Sequence, residues 1–368
     1  MKKILITGGP VHGYIDAVKL VTNKFKGGLI AEMATNMAKK YTNNVHITYL
    51  TTKDSRVPED LKNIDILFHD GFDDYMEKVK SLSQEMDSVI LGAAVANLIP
   101  AETIKGKFPS HNYKPGDVIP INFKIAPRVV DEVKKVNPNV HLFAFKLLAG
   151  VPHEELVRAA YEIVLESKAT AVFANQVQDL TTKYAITKER GEHKMHKDEI
   201  IDFIWDCIHD QYYKTEIIDH DHITLPLDED MNKFNLLKEI WKKRFTYTPE
   251  GYVFGTIAVK RANSMITTGR GKKELNSQGY VINIDHENLI VPSYKNKVTL
   301  NAPLLDNIFK NNPEAYYIIH LHEFNKDIPT YDYAPPGTVR DSIRNIKGSF
   351  NISGHGCFLV FDNNNNLL

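Results

Sequence analysis

Cysteine is almost absent: 368 residues contain two, Cys207 and Cys357. They lie far apart with no metal-type spacing, so neither a disulfide framework nor a cysteine-based zinc site organises the chain. A reducing compartment, the cytoplasm, is the expected home. An excess of one charge is absent too. Lys+Arg number 45 against 46 Asp+Glu, a net charge of -1, which argues against a nucleic-acid partner and against an acidic membrane surface. No apolar run approaches the roughly 20 residues that a membrane-spanning helix needs. The first residues, Met1-Lys-Lys-Ile-Leu-Ile-Thr7, read as a strand and not as the apolar core of a signal peptide. What remains is 43% hydrophobic and 25% charged, an ordinary globular composition, and the length suits two domains.

The most informative stretch is Tyr316-Tyr-Ile-Ile-His-Leu-His-Glu-Phe324. Its β-branched and aromatic residues suit a strand, where positions i and i+2 share a face. His320 and His322 therefore point the same way, and neutral imidazoles are common ligands for zinc and its neighbours. A third ligand is offered by His355 in Ile352-Ser-Gly-His-Gly-Cys357, where the flanking glycines let other groups come close. The plainer alternative is a group of partly buried histidines satisfied by hydrogen bonds.

The first half alternates strands and helices. Lys2-Lys-Ile-Leu-Ile-Thr7 runs into Gly8-Gly9, and residues 29–40 have helical periodicity. Strands follow at His46-Ile-Thr-Tyr-Leu50, Ile64-Asp-Ile-Leu-Phe68 and residues 88–96, with a helix over 74–85. Further on come a strand at 140–145, a helix at 153–167, strands at 169–174 and 183–187, and a helix at 197–209. Near-continuous apolar strands separated by helices predict a doubly wound parallel α/β sheet. Ligands of such sheets sit at the carboxyl ends of the strands. That places Gly8, Gly9, residues 94–97, Phe145, Lys146 and Asn175 around one crevice. Lys24 and Lys26 beside Gly27-Gly28, just before a helix, suit a phosphate; an ordinary solvated loop is the alternative.

The ordered set Ile6-Thr-Gly-Gly9, Tyr14-Ile-Asp16, Thr22-Asn-Lys-Phe-Lys-Gly27, Gly92-Ala-Ala-Val-Ala-Asn97, Phe143-Ala-Phe-Lys-Leu147 and Val172-Phe-Ala-Asn175 resembles the phosphopantothenate–cysteine ligases over about residues 1–209. That resemblance implies a Rossmann-like fold, association of copies, and use of CTP or ATP with magnesium. The family activates a carboxylate with the nucleotide and then forms an amide with cysteine. Asn23 matches the asparagine that holds the activated acyl group, and Lys146 a lysine found in one branch; both are expected to be catalytic. Gly8, Gly9, Lys24, Gly27, Ala94, Phe145 and Asn175 are expected on the nucleotide side. Asn97 stands where the family has an acid, and Lys107 belongs to a partly kept lysine-rich loop (Lys105-Gly-Lys107, Lys114). Phe25 and Lys26 replace two serines, and Leu148-Ala149 a Glu-Thr pair. Each lost carboxylate removes a charge.

Residues 210–231 read as a polar linker. Asp219-His-Asp-His222 within it has metal-like spacing but reads more simply as solvated chain. From 232 to 368 the sequence resembles the class II aldolase/adducin family. The resemblance rests on Gly255-Thr-Ile-Ala, Ile266-Thr-Thr-Gly269, Asn312-Pro313, Ile319-His-Leu-His322, Tyr333-Ala-Pro-Pro-Gly-Thr338 and Gly354-His-Gly356. It implies a smaller α/β domain in which His320, His322 and His355 hold zinc or a similar ion that polarises a carbonyl. Thr267, Thr268, Gly269 and Thr299, assisted by Lys272, fall where that family grips a substrate phosphate. The family's acid/base glutamate is replaced by Asn301, and an amide cannot shuttle a proton at neutral pH.

The expectation is a bifunctional metabolic enzyme. A nucleotide-dependent, ligase-like domain (1–209) is followed by a divalent-metal domain (232–368) acting on a small phosphorylated carbonyl compound. Its partners are then small-molecule substrates, nucleotide and further copies of itself. Two alternatives stand beside it: a ligase-like enzyme whose second domain only assembles, and a non-catalytic scaffold.

Overall fold

The computed structural model describes residues 1–219, 228–248, 251–262, 264–275 and 278–368. It divides into two compact units. One contains Met1–Lys188 and Lys194–Ile208, the other Glu189–His193 and His209–Leu368.

The first unit is built on strands β1 (Lys2–Thr7), β2 (Val45–Thr51), β3 (Ile64–Phe68), β4 (Ser88–Leu91), β5 (His141–Leu148), β6 (Ala171–Gln176), β7 (Asp179–Thr187) and β8 (Glu192–His196). Their order in the sheet is β8-β7-β6-β5-β4-β1-β2-β3. All neighbours from β6 to β3 are parallel, and β7 runs antiparallel to β6. The helices are α1 (Gly28–Lys40), α2 (Gly71–Ser83), α3 (Val130–Val136), α4 (His153–Ser167) and α5 (Ile200–His209). Ile4, Ile6, Ile47, Phe143 and Phe173 bury one sheet face against Met33 and Met37 of α1 and Ile204 of α5. The alternate residues Leu5, Val89, Leu142 and Val172 are equally buried and face the other way, where α2, α3 and α4 lie side by side. The doubly wound, parallel-dominated sheet expected from the sequence is the one observed. Two elements were not foreseen: α3, barely two turns long, and β8. The apolar run 88–96 is also not one strand, for β4 ends at Leu91 and Ala94–Val95 pairs with Pro10–Val11.

The second unit holds a nine-stranded sheet. Its strands are β9 (Lys214–Ile217), β10 (Thr256–Arg261), β11 (Ser264–Thr268), β12 (Gln278–Ile282), β13 (Ile290–Tyr294), β14 (Tyr317–Leu321), β15 (Thr330–Tyr331), β16 (Phe350–Ile352) and β17 (Gly356–Phe361). The order is β9-β13-β12-β11-β10-β14-β17-β16-β15. Pairing is antiparallel from β13 through to β16 and parallel at both edges. Residues alternate between two cores. Ile257, Val259, Ile319 and Leu321 pack with Phe234 and Leu237 of α6 (Asp228–Trp241). Ala258, Ile318, Phe358 and Val360 pack with Leu304, Leu305, Ile308 and Phe309 of α7 (Ala302–Asn311).

Residues 210–231 differ from the expected linker. Lys214–Ile217 is an edge strand beside β13, and α6 begins at Asp228. The backbone supplies that pairing, so the polar side chains gave no sign of it. Of Asp219-His-Asp-His222, the last three residues lie outside the described residues. Among the described residues no helix is long and apolar enough to cross a membrane.

Candidate functional site

In the first unit β1 ends at Thr7 and the chain turns through Gly8 and Gly9. A Cβ on Gly27 (φ 78°) would lie 2.4 Å from Gly9 N and 2.7 Å from Gly9 Cα. Only glycine fits there, so the turn after β1 and the start of α1 meet backbone to backbone. The first turn of α1 contains no acidic residue, and Gly27 makes no side-chain cap. Its free amides and the positive end of the helix dipole suit an anion. Asn23 Nδ2 donates to the Ala94 carbonyl at 3.0 Å, and Ala94 N–H donates to the Gly9 carbonyl at 2.8 Å. Gly8 is tied to β2 through its N–H to the Leu50 carbonyl, 3.0 Å. Gly8, Gly9, Asn23, Gly27 and Ala94 thus form one constellation.

Phe145, Lys146 and Asn175 form a second group at the carboxyl ends of β5 and β6. Lys146 lies opposite Ala174, and Leu147 opposite Asn175. Phe145 packs on Phe173 with ring centroids 5.3 Å apart. Asn175 is buried, and its Nδ2 donates to the carbonyls of Gln176 (3.1 Å) and Asp179 (3.2 Å). Lys24, Asn97 and Lys107 are exposed and make no side-chain hydrogen bond among the described residues. The residues after β2 were missed from the sequence. A Cβ on Gly9 would meet Ser55 Oγ at 2.0 Å, and Asp54 reaches both Lys26 Nζ and the buried His12 Nε2 at 3.5 Å. The carboxyl-end rule for open sheets applies to β2 as well and would have found them.

Asp16 anchors the loop that carries Lys107. Its buried carboxylate accepts from the N–H groups of Phe108 (2.9 Å), Lys19 (2.6 Å) and Val18 (2.7 Å) and from Lys19 Nζ (3.2 Å). The Phe108 N–H foremost, then that of Lys19, holds the carboxyl well below its ordinary value of 3.8. With a depressed folded-state value, its contribution to stability is complete above the unfolded carboxylate range and is lost as pH falls below it. Asp16→Asn is therefore expected to lower the melting temperature at pH 7 and to flatten the acid limb below about pH 4, as thermal melts across pH will show.

In the second unit His320 sits on β14 opposite Phe358 of β17 and Thr256 of β10. His322 follows the strand's last residue, Leu321, and His355 directly precedes β17. A Cβ on Gly356 (φ 128°) would lie 2.0 Å from the Leu321 carbonyl, so glycine lets the His355 segment close onto β14. One ligand-type atom from each of the three histidines lies within 4.8 Å of the other two. His320 Nδ1 faces the Cys357 carbonyl at 3.0 Å. A carbonyl only accepts, so Nδ1 carries the hydrogen and Nε2 presents its lone pair. That Nε2 and His355 Nδ1 are both buried and have no hydrogen-bond partner among the described residues. Burial pushes His320 down to about 4 and His322 and His355 well below the usual imidazole value, helped by the nearby charges of Lys272, Arg190 and Arg344. Three neutral imidazoles with converging donor atoms fit zinc or a similar divalent ion.

The expected phosphate grip looks different from its outline in the sequence. Thr267 and Thr268 are fully buried; Thr267 Oγ1 donates to the Thr268 carbonyl, and Thr268 Oγ1 accepts from Ile257 N–H. Gly269 forms a bridge to Val298. Thr299 Oγ1 lies 3.1 Å from Thr256 Oγ1 and accepts from Asn301 N–H. Buried Lys272, pushed down to about 8, donates to the Gly255 carbonyl at 2.7 Å. Asn301 precedes α7, and its Oδ1 is buried without a hydrogen-bond partner among the described residues.

Taken together, these features define an α/β unit in which the glycine turn after β1 meets the uncapped start of α1, and a second unit that carries a cluster of three histidines with ligand-type atoms close together. Residues 1–211 match the family model of the DNA/pantothenate metabolism flavoprotein C-terminal domain, and the chain belongs to that family. The coenzyme A biosynthesis bifunctional protein CoaBC of Thermococcus kodakarensis is 26% identical over 216 residues, 56% of this chain and 51% of that protein. The chain spans about half the length of the curated relatives it matches. The crystal structure of the DNA/pantothenate metabolism flavoprotein from Streptococcus pneumoniae shares the fold. It has a TM-score of 0.50 and 22% identity, covering 57% of this chain and 99% of that one. Structural neighbours of the C-terminal part include L-fuculose 1-phosphate aldolase, at 13% identity and a TM-score of 0.30 over 38% of this chain and 77% of that one. At that distance the second unit is read from its own geometry.

Proposed function

We propose that the first unit is a ligase of the phosphopantothenate–cysteine type, and that the second unit binds a divalent metal. One observation carries the first part: within a domain matched over residues 1–211, Asn23 is hydrogen-bonded to Ala94 beside the Gly9–Gly27 contact. The residue that resembles an acyl-holding asparagine thus sits where a nucleotide phosphate suits the chain. In this reading the free amides of α1 hold the phosphates of CTP or ATP. A substrate carboxylate oxygen attacks the α-phosphorus, and pyrophosphate leaves. Asn23 orients the acyl-nucleotide. The amine of cysteine then attacks its carbonyl, the amide forms, the nucleoside monophosphate departs, and the amine proton passes to solvent. Asn97 offers a neutral amide where the resembled family has an acid, so that negative charge would be missing around a bound magnesium ion.

In the second unit His320 Nε2, His322 and His355 would hold the ion, which when bound supplies polarisation of a carbonyl oxygen. The surrounding cations Lys272, Arg190 and Arg344 favour an anionic substrate. Asn301 can donate or accept a hydrogen bond but cannot carry a proton. This supports a metal-binding unit whose chemistry departs from sugar-phosphate cleavage.

Asn23→Ala tests the first part. Nucleotide binding, followed as ligand-dependent thermal stabilisation, is expected to survive. Pyrophosphate release with CTP or ATP, 4′-phosphopantothenate and cysteine is expected to fall by about 100-fold or more, as for loss of one positioned donor. Unchanged turnover would remove Asn23 from the reaction.

A further inference from the structure

Lys183 is an anomaly of the first unit. It is 2% exposed, in the middle of β7, and among the described residues its ammonium has neither a hydrogen bond nor an ion pair. A buried charge without a partner is costly and is rarely kept for stability alone. Among the described residues, the carboxylate that bears on it is that of Asp179. This is already engaged, accepting from the N–H groups of Thr181 and Thr182 and from the Thr181 hydroxyl. Its other charged neighbour is a cation, Lys197, which is bonded to Glu32 of α1 at 3.2 Å and to Asp198 at 3.3 Å.

The strand pairing says where the ammonium stands. β7 is antiparallel to β6, and the register slips between Ala174 and Gln176. Lys183 therefore lies level with Asn175, at the carboxyl end of β6. It shares a strand face with Ala185, which belongs to the core formed by α1, α5 and Phe173, with partly buried Phe145 packed against it. Lys183 thus stands on the side of the sheet that carries α1 and α5, at the level where ligands of open α/β sheets bind.

We propose that Lys183 is a preformed cation for a phosphate group of the ligand bound in the first unit. The inference rests on the nucleotide-binding reading above and adds a residue that the sequence motifs did not include. Its desolvated ammonium costs little further desolvation when an anion arrives, so the pair forms at full strength in a low-dielectric site. Burial has pushed the lysine down to about 8. The free protein therefore holds most of this charge at pH 7 and sheds it as pH rises past that value, and affinity for the phosphate should weaken with it.

The test is calorimetric titration of the full chain and of Lys183→Met with CTP, ATP, inorganic pyrophosphate and 4′-phosphopantothenate, each at pH 7 and pH 9.5. Removing an unpaired buried charge should leave the melting temperature of the unliganded protein equal or higher. Lys183→Gln serves as the second variant should methionine pack poorly. Affinity for the phosphate ligand is expected to drop about 30-fold or more, and the weakening between pH 7 and 9.5 seen in the wild type should vanish. Loss confined to the nucleotides and pyrophosphate would put the polyphosphate beside β7, four strands from β1, and would overturn its placement on the α1 amides. Loss confined to 4′-phosphopantothenate assigns it to that substrate's phosphate. Undiminished affinity for every ligand in a folded variant overturns the inference. A wild-type protein that binds none of them overturns both the inference and the reading on which it rests.

Discussion

His320→Ala is expected to abolish stoichiometric divalent-metal binding while leaving the first unit folded. His320 is the best-oriented donor of its cluster. Its Nδ1–H is pinned by the Cys357 carbonyl at 3.0 Å, and its ring stacks on Phe358 with centroids 4.1 Å apart at 14°. That double restraint fixes the tautomer and aims Nε2 inward, and loss of such a hydrogen bond behind a ligand typically costs about 10–100-fold in metal affinity. Losing the ligand itself should cost more than about 100-fold and leave His322 and His355 as an incomplete pair. The first unit has its own core, to which no residue of the histidine cluster contributes, so its melting should be unchanged. Elemental analysis of the purified variant, prepared without a histidine tag, reads the result. One ion per chain retained in His320→Ala would remove the cluster as the metal site.

A second large effect is expected at Gly27. Its φ of 78° is left-handed, which costs a residue with a Cβ about 1–2 kcal/mol, and the new methyl would sit 2.4 Å from Gly9 N. The backbone cannot yield there without moving either the turn after β1 or the start of α1. Gly106 provides the control: its φ is 77°, yet a Cβ there meets nothing within 4 Å. Gly106→Ala should show the conformational cost alone, roughly 2–8 °C in the melting temperature for a unit of this size. Gly27→Ala should fall further and should also lose stabilisation by nucleotide. Equal melting of the two variants, with nucleotide stabilisation intact in both, would mean that the Gly9–Gly27 contact is not part of a phosphate site.

Much of this was legible in the chain because it is written in local patterns. The apolar strands β1, β2 and β3 and the periodic helices α1 and α4 stand near where hydrophobic spacing puts them. The His-x-His alternation located two imidazoles on one side, and the glycines around His355 announced a close approach. What escaped has no local signature. Asp54 and Ser55 reach the glycine turn only through the parallel pairing of β1 with β2. Lys183 reads as an exposed strand lysine until the slipped register of β6 and the cover of α1 and α5 are in place. Thr267 and Thr268 fall where the resembled family grips a substrate phosphate, and their burial comes from the place of β11 inside a nine-stranded sheet, which their own stretch does not report. The edge strand Lys214–Ile217 is held by backbone bonds that its polar side chains do not report.

The most direct test of the account is product formation. Wild-type protein is incubated with 4′-phosphopantothenate, cysteine, magnesium and either CTP or ATP, and the mixture is analysed by mass spectrometry. The expected products are the cysteine amide together with equal amounts of pyrophosphate and nucleoside monophosphate. Release of nucleoside diphosphate and inorganic phosphate instead, or no amide with either nucleotide, would contradict the account.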